Sequence, residues 1–205
     1  VSKVSEKMTK LIGITGGIAS GKTTLVNMVR QAGYEVIDAD SVVHDLQAKG
    51  GKLYEALVDT FGSDILQADG ELNRIKLAEM VFSNPENRTI SSRIQDQIIR
   101  EELKQRRDDL LEKENILFMD IPLLIELGYQ DWFNDIWLVD VTPETQLKRL
   151  MARNHLTLSQ ANQRIASQLP LSAKRPCASL LIDNNKDLPA LEKQVREALH
   201  KLSHL

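Results

Sequence analysis

The sequence predicts a three-layer α/β sandwich on a five-stranded parallel sheet, with a helical insertion and a small lid. Three observations predict it. Short, near-continuous apolar runs alternate with helix-length segments, a glycine cluster sits between the first run and the first helix, and Ser41 to Glu114 shows helical periodicity without strand pattern. Apolar runs of this kind suit strands covered on both faces, the usual setting of parallel pairing.

The elements follow in order. Leu11 to Thr15 is a buried strand running directly into the glycine cluster, and a helix begins near Lys22. Gly33 closes that helix, and Tyr34 to Asp38 is a second strand followed closely by Asp40. The helical stretch after Ser41 breaks at Gly50-Gly51, Phe61-Gly62, Asp69-Gly70 and Asn84-Pro85. Asn84 is placed as an N-cap with Pro85 at the first helical position, opening a charged helix that runs to about Lys113. Strands return at Ile116 to Asp120, Ile136 to Val141 and Leu180 to Asp183. Thr142-Pro143 caps the helix after the fourth strand, and Asp187 with Pro189 caps the last helix. The expected division is a flexible extension at 1–10, a core of 11–40 and 115–205 with a lid at 149–178, and an insertion at 41–114.

Bulk composition narrows the partners. A chain of 205 residues with 42% hydrophobic content supports one substantial core and a smaller subdomain. A net charge of -3 gives no general attraction to nucleic acid or to an anionic membrane, so a small-molecule partner is expected. Cys177 is the only cysteine, which excludes an intramolecular disulfide and suits a reducing compartment. Lys3, Lys7 and Lys10 flank no apolar core of signal-peptide length, and no run of 18 apolar residues occurs, so a cytoplasmic protein is expected.

Gly16 to Thr23 reads G-x-x-x-x-G-K-T between a predicted strand and a predicted helix, the context a phosphate-binding loop requires. Such a loop makes the chain a P-loop NTPase candidate. Its backbone curls so that successive N–H groups face phosphate oxygens, and the helix adds its positive end. Gly17, Ile18, Ala19, Ser20, Gly21, Lys22, Thr23 and Thr24 are therefore assigned to ATP. The Lys22 ammonium is suited to follow the shifting phosphate charge, and the Thr23 hydroxyl to hold Mg²⁺.

Acidic residues end several strands, where open α/β sheets bind ligands. Asp40 is placed as the base that accepts the proton of an attacking hydroxyl, and Asp38 as a group orienting the acceptor or a metal-bound water. The alternative for both is capping of the helix that starts near Ser41. Asp120 ends the third strand, where such enzymes place an acid for Mg²⁺. Asp140 and Asp183 end strands too, and turn formation is the competing explanation for all three. Lys148, Arg149, Arg153 and Arg164 suggest a lid that closes over ATP, with an ordinary solvated helix face as the alternative.

Several blocks together resemble the dephospho-coenzyme A kinase family: Ile14 to Thr24, Val36 to Asp40, Asp69 to Arg74, Ile121 to Glu126, and Ile182 to Asn184. The resemblance runs from about Leu11 to the C-terminal helix. It implies transfer of phosphate from ATP to the ribose 3′-hydroxyl of dephospho-coenzyme A, with Mg²⁺. It also implies that the insertion is the substrate domain, that Asp40 is the base, and that Arg149 and Arg153 belong to the lid, with Arg149 contributing to catalysis. Arg74, Asp38, Pro122 and Leu123 are carried over as substrate contacts. ATP and dephospho-coenzyme A are the implied partners, with no nucleic acid, no membrane, and a monomeric or weakly self-associating chain.

The chain departs from the family pattern in three places. Ala19 stands where glycine is common, so residue 19 is expected to keep a negative φ. Gln95-Asp96-Gln97 replaces a common Leu-His-Pro, which removes a histidine and a proline bend, and Asn73 replaces an aspartate before Arg74. A kinase for another small molecule is the nearest competitor, since the phosphate loop does not choose the acceptor. A guanine-nucleotide switch would need N-K-x-D, and Asn185-Lys186-Asp187-Leu188 lacks the final aspartate.

Overall fold

The structure is a computed structural model and describes residues 9–203. Residues 1–8 of the expected extension lie outside the described residues, while Lys10 already belongs to the first strand. In chain order the elements are β1 (Lys10–Gly16), α1 (Lys22–Gln31), β2 (Glu35–Asp38), α2 (Ala39–Gln47), α3 (Lys52–Phe61), α4 (Arg74–Ser83) and α5 (Pro85–Leu111). There follow β3 (Ile116–Asp120), β4 (Asp135–Asp140), α6 (Pro143–Asn154), α7 (Leu158–Ala166), α8 (Leu171–Lys174), β5 (Leu180–Asp183) and α9 (Leu188–Leu202). The chain forms two compact units, Asp38–Asp109 and the remainder on either side of it.

The larger unit is the predicted α/β sandwich. Its five strands lie in the order β2-β3-β1-β4-β5, and β1 pairs in parallel with both β3 and β4, as β4 does with β5. The apolar runs explain this arrangement, because Leu11, Ile12, Ile14, Leu117, Phe118, Leu138 and Val139 are all buried and need cover on both faces. Leu25 and Val29 of α1 pack on one side of Ile12, Ile14 and Trp137, together with Leu191, Val195, Ala198 and Leu202 of α9. Those α9 positions recur at helical spacing and form a single apolar stripe. Phe118 meets Trp137 and Tyr34 edge to face at 5.2 and 5.5 Å, which fixes the stacking of central strands beneath the glycine loop.

The smaller unit carries α2 to α4 and nearly all of α5. Its core is Val42, Leu46, Leu53, Tyr54, Leu57, Ile65, Leu72, Leu77 and Leu103. Between α3 and α4 the chain departs from the purely helical expectation. Leu66 and Leu72 form an antiparallel bridge around a turn in which Gly70 has φ 83°. The Asp69 side chain accepts the Glu71 N–H and the Tyr54 hydroxyl donates to the Gly70 carbonyl at 2.6 Å, so local polar bonds outcompete helix at this Asp-Gly pair.

Asn84 caps α5 as expected, its side chain accepting the Glu86 N–H at 2.8 Å. The helix ends at Leu111, two residues before the predicted limit, and continues unbroken through Gln95, Asp96 and Gln97. Those three side chains bond Ser91, Arg100 and Glu101, each four residues away along the helix, which stabilises a helix at this point. Farther along, Glu102 accepts from Lys52 of α3 at 2.8 Å and from Arg106 at 2.9 Å, and Arg106 reaches Asp45 of α2 at 3.2 Å. The Lys52 and Arg106 hydrogen bonds hold the Glu102 carboxyl below its ordinary value.

Candidate active site

The phosphate loop joins β1 to α1 in the predicted strand, turn, helix order. Gly21 precedes α1 with φ 92° and no side chain caps the helix, which leaves its N-terminal end without a side-chain acceptor, as a phosphate-binding turn requires. A Cβ at residue 21 would lie 2.2 Å from Asn184 Nδ2, whose amide donates to the Ser20 carbonyl at 2.8 Å. The loop therefore needs glycine here both for its backbone angle and for the approach of Asn184.

Ala19 corrects an expectation. Its φ is 60°, in the left-handed region, although the methyl group was expected to require a negative value. The neighbouring residue shows what holds it there: the Ile18 N–H donates to Gln168 Oε1 at 3.1 Å, and the Ile18 carbonyl accepts from Gln146 Nε2 at 2.9 Å. With both backbone groups of Ile18 fixed from outside the loop, surrounding structure imposes the turn on residue 19.

Lys22 and Asp120 form an ion pair in the floor of the site, with side chains 17% and 10% exposed. Sequence reading gave these residues separate tasks, one for phosphate and one for metal. The parallel register explains the meeting, since Ile14 of β1 aligns with Asp120 at the end of β3. Thr15 donates from its hydroxyl to the Pro122 carbonyl at 3.1 Å and so ties the Pro122-Leu123 turn to the same strand end. Thr23 is exposed on the first turn of α1, and Thr24 is half-buried with its N–H donating to the Gly21 carbonyl at 3.1 Å.

Arg149 and Arg153, four residues apart on α6, line a cavity of about 480 Å³ together with Ala19 and Gly21. Two positively charged side chains thus face the open side of the loop. Asp140 is engaged elsewhere, holding Arg175 with bonds of 2.9 and 3.1 Å and raising its pKa. Asp183 accepts the backbone and side-chain N–H groups of Asn185, which makes it the turn-forming residue of the competing explanation.

In the smaller unit, Asp38 caps α2 by accepting the Ser41 N–H at 3.1 Å, the capping alternative for that residue. Asp40 is exposed in the first turn of α2. The two acids therefore do not share one side of an extended chain, because extension ends at Asp38 and helical rotation begins at Ala39. Arg74, His44, Gln47, Gln67, Glu71 and Asn73 help line a cavity of about 380 Å³. Asn73 does not serve as a charge partner for Arg74; it caps α4 by accepting the Lys76 N–H at 3.1 Å.

Sequence reasoning missed Gln146, Gln168 and Lys174. Polar residues on charged helices read as solvated surface, yet Gln146 is 6% exposed and Lys174 is fully buried. Burial distinguishes Gln146 and Lys174 from their neighbours, and Gln168, half-buried in the segment after α7, is distinguished by its bond to the Ile18 N–H.

The family model described as Dephospho-CoA kinase matches residues 10–190. A dephospho-CoA kinase of Streptococcus pyogenes serotype M3 is 64% identical over 95% of this chain and 98% of its own length. One of Streptococcus mutans serotype c is 57% identical over 96% of this chain and its whole length. Among solved structures, a dephospho-CoA kinase from Campylobacter jejuni superposes with a TM-score of 0.75 at 25% identity, covering 96% of this chain and 98% of that one. With the phosphate loop, its lysine and the helical insertion all present, the chain belongs to the dephospho-CoA kinase family, the kinases of the final step of coenzyme A synthesis.

Proposed function

We propose that this chain transfers the γ-phosphoryl group of ATP to the ribose 3′-hydroxyl of dephospho-coenzyme A, and that the residues above divide the work as follows. The loop from Gly17 to Thr24, with the start of α1, binds the ATP phosphates, and Lys22 neutralises charge on the group in transit. The 3′-oxygen attacks the γ-phosphorus, the bond to the β–γ bridging oxygen breaks, ADP leaves, and Asp40 accepts the hydroxyl proton. Arg149 and Arg153 close over the nucleotide and exclude water. Arg74 and its cavity take an anionic part of the acceptor, with Asp38, Pro122 and Leu123 as further substrate contacts.

Thr23 and Asp120 are the residues that would hold Mg²⁺. Their donors are all oxygen and few in number, which suits an ion that keeps waters and substrate phosphates around it. Bound there, the ion would supply charge neutralisation at the phosphate oxygens. Among the described residues no helix is long and apolar enough to cross a membrane, and a cytoplasmic, monomeric or weakly associating enzyme fits this role.

The observation that carries the reading is the phosphate loop, open at the start of α1 and with Lys22 paired to Asp120. The test is ADP release with ATP, Mg²⁺ and dephospho-coenzyme A, set beside a nucleoside, a nucleoside monophosphate and shikimate. Turnover only with dephospho-coenzyme A, with phosphate appearing at the 3′ position, is expected. Preference for another acceptor would overturn the substrate assignment.

A further inference from the structure

Lys174 is fully buried, yet it is charged; it lies in α8, within the span expected for the lid but with no role assigned to it above. Its Nζ donates to the carbonyl of Gly16, the first residue of the phosphate loop, at 3.3 Å and pairs with Glu126 Oε1 at 2.7 Å. The same carboxylate oxygen accepts the Leu169 N–H at 3.2 Å. Leu169 follows Gln168, whose side chain holds the Ile18 N–H. The chain of bonds thus closes on itself, from Gly16 through Lys174, Glu126 and the Gln168-Leu169 backbone to Ile18.

Burying an ammonium and a carboxylate is costly, and apolar residues of similar volume generally fill such space with equal or better stability. What an ion pair adds is direction. Here it is spent on one loop carbonyl and on the backbone of the segment just after α7. Only Oε1 of Glu126 is used; Oε2 is buried without a hydrogen bond, so the carboxylate is not satisfied by a general polar network. Gln146, also buried, adds the bond to the Ile18 carbonyl. These anchors meet the loop on both sides of Gly17, just before the left-handed Ala19.

We propose that Lys174 is a positioning residue for phosphoryl transfer, holding the phosphate loop in its anion-binding shape together with Glu126 and Gln168. It touches no substrate and acts through Gly16 and Ile18. The role rests on the loop being the nucleotide phosphate site and adds to that reading the origin of its preorganisation. A loop released from these anchors must be ordered by the nucleotide itself, so nucleotide affinity falls while acceptor affinity does not.

The test uses the full chain and two variants, Gln168→Leu and the double variant Lys174→Met with Glu126→Gln. The double variant removes both charges at similar volume, avoiding the uncompensated buried carboxylate that Lys174→Met alone would leave. Calorimetric titration with ADP is followed by KM for each substrate and kcat. The expected result is ADP binding weaker by about tenfold in the double variant and about threefold in Gln168→Leu, with KM for ATP rising in step and KM for dephospho-coenzyme A within about twofold. Parental ADP affinity in a folded double variant, or equal loss for both substrates in both variants, overturns the proposal. If the double variant does not fold, Gln168→Leu decides alone, by loss or retention of ADP affinity. Failure of the parent chain to bind ADP would instead overturn the reading of the loop.

Discussion

Replacing Ala19 with glycine should stabilise the protein, although it removes a side-chain carbon. Residue 19 sits at φ 60°, where an L-residue with a Cβ pays about 1–2 kcal/mol relative to the right-handed conformation. Glycine escapes that cost but gains freedom in the unfolded chain, which opposes the gain by about 0.4–1 kcal/mol. The net is a stabilisation of about 0.5–1 kcal/mol, or about 1–4 °C in Tm for a chain of this size. Circular dichroism melts of Ala19→Gly and the parent, run in the same buffer with and without ADP, measure it. Ala19→Val gives the opposite sign, because a β-branched residue at positive φ is a severe outlier. A lower Tm for Ala19→Gly, or a Tm for Ala19→Val equal to the parent, would refute the argument that the anchors on Ile18 force a strained turn at residue 19.

Gly21→Ala should do the reverse: a Cβ 2.2 Å from Asn184 Nδ2 displaces the amide from the Ser20 carbonyl. The left-handed backbone and the lost bond together cost about 2–3 kcal/mol, read by urea unfolding, and calorimetry should show ADP binding lost; unchanged stability would contradict it. Glu102→Gln tests the ion pairs of the smaller unit through pH. The Glu102 carboxyl is held below its ordinary 4.5, chiefly by the Lys52 hydrogen bond and then by Arg106. The unfolded chain therefore binds the proton first, so this contribution is present above the ordinary value and is lost as pH falls through the lower folded value. The variant should lose less stability than the parent between pH 5 and acid unfolding, and parallel pH curves would show that Glu102 does not contribute. Asp40→Asn should lower kcat by more than about tenfold with ATP affinity little changed; loss of ATP binding instead would make Asp40 a metal or structural residue.

The sheet and the phosphate loop were legible in the sequence because each is written in local pattern. Leu11 to Thr15 and the later apolar runs announce strands through composition, and G-x-x-x-x-G-K-T announces its loop through residues whose backbone and charge are needed at fixed spacing. The caps at Asn84, Thr142 and Asp187 were legible for the same reason, each acting on N–H groups two or three positions away. Asp38 was less so, since one aspartate at a strand end serves equally well as cap or as ligand until its partner is seen.

By itself, then, the amino-acid order determined which segments form strands, which loop carries the phosphate-binding pattern and which residues carry charge there. Tertiary structure alone decided that Lys22 meets Asp120, that Ala19 turns left-handed, and that Lys174, far along the chain, lies beneath Gly16. Hydrophobic periodicity and capping act over a few residues and leave their mark in sequence. A buried ion pair or a side chain clamping a distant peptide depends on which elements pack together, and that packing emerges only when the whole core closes.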